Sequence, residues 1–196
     1  MITDYDAIYR NDPGKWTAPW RDQFAHSVIE DYIGEPKSLL DIGCGNGHTI
    51  AYLKERWRKT EFSGTDTSAE AIRLAKTRVH GASFYQVDHG SLGMRFHVIT
   101  IMGVAEHFED IVQELSKARR LLEIGGMIYL EAPNNLAISG RTDEGFFASE
   151  TQAEWHLKRS TWESKFAEAG LKVVDQFIGD RPAWEFIWLL ESENET

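Results

Sequence analysis

The sequence predicts an α/β fold, a mostly parallel sheet with helices on both faces and an antiparallel hairpin near the carboxyl end. Three observations carry this. Apolar runs of strand length alternate with segments of helical period, an order that needs crossover connections and therefore parallel strands. The first such run leads directly into a glycine-rich turn, "LLDIGCGNGHTI" over residues 39–50. The last two runs, "LKVVDQFI" (171–178) and "AWEFIWLL" (183–190), are separated by too few residues for a helix, which suits a hairpin.

Taken in order, an aromatic segment over 1–36 precedes the strand-like "KSLLDI" (37–42) and forms an amino-terminal cap. Further strand-like runs are "EFSGTD" (61–66), "ASFYQVD" (82–88), "FHVITIM" (96–102) and "MIYLEAP" (127–133). Helical periodicity occupies about 47–58, 68–79, 109–122 and 160–169. Thr67 with Glu70, and Ser160 with Glu163, read as capping boxes that start two of these helices. The link from Asp88 to Phe96 is too short for a helix. The stretch 134–160 is long for a connection and reads as a lid-like insertion, with Phe146, Phe147, Trp155 and His156 as its aromatic and titratable content.

No repeat, low-complexity tract or linker divides the 196 residues, so a single domain over 1–196 is expected. The amino terminus lacks the basic start and apolar stretch of a signal peptide, and no run is long enough for a membrane helix. A cytoplasmic protein is the expectation. With 21 Lys+Arg against 31 Asp+Glu the formal charge is −10, which opposes a nucleic-acid partner and favours a small or cationic one. Cys44 is the only cysteine, which excludes an internal disulfide and gives no metal-finger spacing. It reads as a small filler between glycines, with no base placed to activate it.

A strand, glycine turn and helix in succession form a site for an adenine nucleotide, because small residues allow close approach and the helix start offers free N–H groups. The spacing narrows the ligand. There is no G-x-x-x-x-G-K-[ST], so a P-loop is excluded, and His48 stands where a dinucleotide fingerprint needs its third glycine. Asp41, two residues before Gly43, would repel a pyrophosphate and suits an ammonium or sulfonium group. Asp66, after the second strand, is placed to accept ribose hydroxyls, and Asp88, after the third, to accept from an adenine amino group. The ligand expected is an adenosine that carries a positive charge.

The successive segments "LLDIGCGNG", "FSGTDTS", "YQVDHG", "ITIMGVAEHFED" and "RLLEIGGMIYLEAPN" resemble the ordered motifs of class I S-adenosylmethionine-dependent methyltransferases, over about residues 37–180. The likeness is to the small-molecule type, similar to ubiquinone-biosynthesis-like methyltransferase domains. It implies a Rossmann-like seven-stranded sheet and S-adenosyl-L-methionine as cofactor. It implies further that Gly43, Gly45, Asn46 and Gly47 lie along the methionine portion with Asp41. Asp66 would hold the ribose, Thr67 the adenine face, Asp88 the adenine edge, and the backbone of Met102 and Gly103 the methionine amino group.

Arg21 is the candidate cation for the methionine carboxylate, since the glycine turn contains none. His107 and His156 are the candidate catalytic bases, because imidazole titrates in the useful range. Some metal-assisted relatives carry an acid three residues before the Glu106-His107 pair, but this chain has Gly103 there, so no metal is expected. The acceptor is expected to be a small molecule, by direct methyl transfer to oxygen, nitrogen, carbon or sulfur. Competing readings are an RNA- or protein-modifying methyltransferase, a non-catalytic adenosylmethionine-binding subunit, and a nicotinamide-dependent oxidoreductase, which the glycine spacing disfavours.

Overall fold

A computed structural model describes residues 3–148, 153–177 and 185–193. The chain begins with α1 (Tyr5–Asn11) and α2 (Pro19–Tyr32), then runs β1 (Ser38–Ile42), α3 (His48–Arg56), β2 (Glu61–Thr65), α4 (Ala69–Arg78) and β3 (Ser83–Tyr85). It continues through β4 (Phe96–Met102), α5 (Ile111–Arg120), β5 (Leu122–Pro133), α6 (Asn135–Ser139), β6 (Gly145–Ala148) and β7 (Ala153–His156). It closes with α7 (Arg159–Glu168), β8 (Leu171–Phe177) and β9 (Glu185–Ser192). The main sheet has seven strands in the order β3-β2-β1-β4-β5-β9-β8. The first five are parallel, and β9 runs antiparallel to both β5 and β8. This is the predicted architecture, a Rossmann-like sheet ending in an antiparallel pair. The turn expected within 178–184 lies outside the described residues.

Alternation along the central strands builds the two cores. Leu40, Ile42, Ile99 and Ile101 face α5 and α7, where Ile111, Leu115, Trp162 and Phe166 complete one apolar cluster. Leu39 and Val98 face the other way, onto Ile29 of α2, Ile50 and Leu53 of α3, and Ile72 of α4. Both faces of the sheet are therefore dry. The carboxyl ends of β1, β2 and β4 are left open on one edge. Among the described residues no helix is long and apolar enough to cross a membrane.

The structure differs from the sequence expectations at local boundaries. Ser68, rather than Thr67, caps α4, accepting from the Ala71 N–H at 3.0 Å, because Asp66 accepts the Ser68 N–H at 2.8 Å and advances the helix start by one residue. The expected Ser160 cap is also displaced. Helix α7 begins at Arg159 after Lys158, with no side-chain cap. β3 stops at Tyr85, and Asp88 caps a short 3-10 turn over His89–Ser91 by accepting from Gly90 N–H at 2.7 Å. The stretch 134–160 is not a bare loop. It holds α6 and the antiparallel pair β6-β7, where Phe146 and Trp155 stand opposite each other with ring centroids 5.2 Å apart.

The packing makes a direct prediction. Ile99 is fully buried on the central strand β4, so Ile99→Ala should lower the unfolding free energy by about 2–5 kcal/mol in urea denaturation. Ile124 is 80% exposed, and Ile124→Ala should change it by less than about 0.5 kcal/mol. Equal effects would contradict the two-faced core.

Candidate functional site

A cleft of about 650 Å³ opens at the carboxyl ends of β1, β2 and β4, within the size range of small-molecule sites. Its floor is the turn after β1. Gly43 and Cys44 donate their N–H groups to the Thr65 carbonyl at 2.8 and 2.9 Å, which pins the turn to the end of β2. Gly45 then donates to Asp66 Oδ2 at 2.9 Å. Gly45 has φ +53°, and a Cβ there would lie 2.4 Å from the Tyr9 hydroxyl, so the turn leaves room only for glycine beneath α1.

Each acid expected at a strand end has a distinct environment. Asp41 is 3% exposed and accepts from Thr100 Oγ1 at 2.7 Å across the β1-β4 register, and burial pushes its pKa up to about 7. Asp66 accepts from the backbone of Gly45 and Ser68, and burial raises its pKa as well. A carboxylate offers about four lone-pair sites, so these two bonds leave capacity on each oxygen. Asp88 is more exposed and is paired with the Lys117 ammonium at 2.7 Å, which holds its pKa low.

Most of the sequence-predicted residues come together here. Asp41, Gly43, Gly45, Asn46, Asp66, Thr67, Asp88, Met102, Gly103, Arg21 and His107 all line the cleft. Gly47 and His156 stand outside its wall. Gly47 begins α3 and packs toward α4, where a Cβ would come 3.1 Å from Ala75 Cβ. His156 lies 3.1 Å from Ser139 Oγ and meets Phe147 edge-on, supporting the β6-β7 pair from within. Cys44 is buried, and burial drives its thiol pKa well up, which fits a filler.

The amino-terminal helices close the cleft from above. Asn46 donates to the Pro13 carbonyl at 2.6 Å, and Asp6 accepts from Ser68 Oγ at 2.5 Å, so the segment is tied to both the glycine turn and α4. Tyr9 seals the turn. Arg21, from α2, pairs with Glu131 of β5 at 2.6 Å. Its guanidinium passes over Gly103, where a Cβ would lie 2.8 Å from Nη2, so the absence of a side chain there makes room for the arginine. Asp22 pairs with His48 at 2.5 Å and accepts from Thr49 Oγ1 at 2.8 Å, at the start of α3.

Beyond β4, a 3-10 turn over Ala105–His107 brings Glu106 and His107 to the cleft. His107 Nδ1 lies 2.9 Å from the Ala153 carbonyl and must donate to it, leaving Nε2 toward Glu106 Oε1 at 3.8 Å. Trp155 Nε1 donates to the Phe108 carbonyl at 2.8 Å, which docks the β6-β7 pair on the same turn. Glu154 and Glu185 reach the cleft from β7 and β9. Tyr5, Tyr9, Asp22, Glu131, Glu154 and Glu185 were not singled out from the sequence. Glu131 did leave a trace there, as a charge inside the apolar run "MIYLEAP". Among the described residues, Asp88, His89 and Glu114 form one group with metal-ligating atoms within 4.8 Å, but the Lys117 ammonium lies 2.7 Å from both acids and occupies the position between them.

A family model described as a methyltransferase domain matches residues 18–176. A trans-aconitate 2-methyltransferase of Rhodopseudomonas palustris (strain BisB18) is 29% identical over 138 residues, covering 69% of this chain and 52% of the relative. The corresponding protein of strain BisB5 is 32% identical over 103 residues, covering 52% of this chain and 40% of the relative. The chain thus spans about half the length of these relatives, or less. Among solved structures, a 1,6-didemethyltoxoflavin-N1-methyltransferase of Burkholderia thailandensis, with S-adenosylhomocysteine bound, superposes with a TM-score of 0.79. The identity is 18%, over 97% of this chain and 86% of that one. An S-adenosylmethionine-dependent methyltransferase of Clostridium acetobutylicum ATCC 824 gives 0.73 at 13% identity, over 96% and 97%. The match over 18–176, together with this sheet order, makes the chain a member of the methyltransferase-domain family, with the class I S-adenosylmethionine-dependent fold.

Proposed function

We propose that this chain transfers the sulfonium methyl group of S-adenosylmethionine to a small molecule held in the cleft. The observation that carries this reading is the glycine turn, pinned by Gly45 N–H to Asp66 on the floor of a cleft that has Asp41 buried in its wall. The donor set fits such a ligand. The Cβ positions of Gly43 and Gly45 are taken by Val104 and Tyr9, so the turn presents bare backbone to the cleft beside the acids Asp41 and Asp66, a donor and acceptor set suited to a cationic adenosine.

In this reading Asp66 uses its remaining lone pairs for the ribose hydroxyls, and Thr67, released from helix capping, lies against the adenine. Asp88 accepts from the adenine edge. Asp41, with the backbone of Met102 and Gly103, holds the methionine ammonium, and Arg21 turns its free edge to the carboxylate while Glu131 fixes its position. Asn46 and Gly43 shape the turn, and Gly47 lets α3 start close to α4. When bound, S-adenosylmethionine supplies a methyl group already activated by the sulfonium charge. The protein therefore contributes mainly alignment and exclusion of water, through α1, α2 and the docked β6-β7 pair. His107 can take a proton only at Nε2. His156 acts as a positioning residue for the strand pair.

Two measurements check this. Asp66→Ala should weaken S-adenosylhomocysteine binding by about 1.5–3 kcal/mol, roughly ten- to hundredfold in calorimetry, as for hydrogen bonds to a charged group. Unchanged affinity would contradict the ribose assignment. The second concerns pH. A ligand ammonium favours ionised Asp41, so binding releases the proton that Asp41 holds below its pKa of about 7. Affinity should rise as the pH climbs toward 7 and level off above it, and Asp41→Asn should flatten that rise.

A further inference from the structure

The cleft is lopsided in charge. Glu106, Glu131 and Glu154 line it, and among the described residues the cationic side chains there are Arg21, which is already paired with Glu131, and Lys15. Lys15 lies out on the exposed rim, 5.9 Å over the Trp16 ring. A polycarboxylate such as trans-aconitate would enter against this field, whereas a cation would be drawn in.

One carboxylate is built for such a cation. Glu106 is 4% exposed, and its Oε2 finds no hydrogen-bond partner among the described residues. A buried acceptor left without a donor is costly unless a ligand supplies one. Beside it stand aromatic rings. Tyr5 is 6.3 Å from His107 and 6.2 Å from Trp16, centroid to centroid, and both Tyr5 and Trp16 line the cleft. Faces of this kind attract ammonium groups.

We propose that the acceptor is an amine presented as an ammonium ion, that Glu106 holds it and takes its proton, and that Tyr5 and Trp16 wall its charged head. This rests on the methyltransferase reading above and names the substrate class of that site. The step balances. R–NH3+ gives one proton to the Glu106 carboxylate, leaving R–NH2 and a neutral acid. The freed nitrogen lone pair forms the N–C bond as the S–C bond breaks, and that bond's electron pair stays on sulfur. The products are R–NH2–CH3+ and neutral S-adenosylhomocysteine, and Glu106 returns its proton to water before the next turnover.

The surroundings suit a proton acceptor. Burial pushes the Glu106 pKa up to about 7, against the opposing pull of His107 and Arg21, with Glu154 adding to the rise. Tyr5, across from it, is pushed up to about 12 and stays a neutral phenol. A carboxylate of this basicity can accept a proton near neutral pH.

The test is a magnetic-resonance titration of the full chain loaded with S-adenosylhomocysteine, using phenethylamine, putrescine and trans-aconitate as probes. Both amines should shift resonances of Tyr5, Trp16 and Glu106 at millimolar concentration, and trans-aconitate should not. Glu106→Gln should weaken amine binding about tenfold or more, with Glu154→Gln, on the more accessible strand, giving a smaller loss. S-adenosylhomocysteine affinity should stay unchanged in both variants. Tighter binding of trans-aconitate than of either amine, no amine binding, or equal amine binding with and without the Glu106 carboxylate would overturn the proposal. Failure of the wild-type chain to bind S-adenosylhomocysteine would instead reject the methyltransferase reading itself.

Discussion

The site depends on the tie between the end of β2 and the turn after β1. Gly43 and Cys44 donate to the Thr65 carbonyl, and Gly45 donates to Asp66. Three backbone N–H groups of the turn that would otherwise be unpaired are thereby satisfied, and the turn is held in place under α1. The same Asp66 takes the Ser68 N–H and sets where α4 begins. One carboxylate therefore fixes the register of two helices and the shape of the cleft floor between them.

Around this floor the protein keeps several charges out of water. Asp22, Asp41, Glu106 and Glu131 are each 4% exposed or less, and burial raises the pKa of all four. Glu131 has a partner of opposite charge, Arg21, and Asp22 has the His48 imidazole and the Thr49 hydroxyl. Asp41 has a hydroxyl, and Glu106 has a distant imidazole. Buried ion pairs contribute little net stability, and an acid with raised pKa costs stability as the pH passes from its unfolded value toward its folded one. This arrangement is better understood as preorganisation for charged ligands than as a source of folding energy.

The amino-terminal helices and the β6-β7 pair carry the specificity in this scheme. Helix α2 packs into the core through Ala25, Val28 and Ile29, and hydrogen bonds add further ties, Asn46 to Pro13 for the amino-terminal segment and Trp155 to Phe108 for the β6-β7 pair. Gly103 shows how one position shapes the cleft. Its missing side chain admits Arg21, and that cation locks onto Glu131.

The sequence by itself determined the sheet, its mostly parallel order, the closing antiparallel pair and the glycine turn with its three acids. These follow from periodicity and spacing, which are local and repeat along the chain. Boundaries were less legible, because Asp66 and Asp88 compete for backbone N–H groups that a capping pattern assigns elsewhere. The folded structure adds Glu131, Glu154 and Glu185 to the acids of the cleft, which no pattern along the chain singled out. Glu106, Glu131, Glu154 and Glu185 lie on four different elements, and a carboxylate's field depends on distance through the folded protein, not on separation along the chain. The same reason explains His156, a candidate base by residue type alone, whose ring is engaged by Ser139 and Phe147 outside the cleft lining.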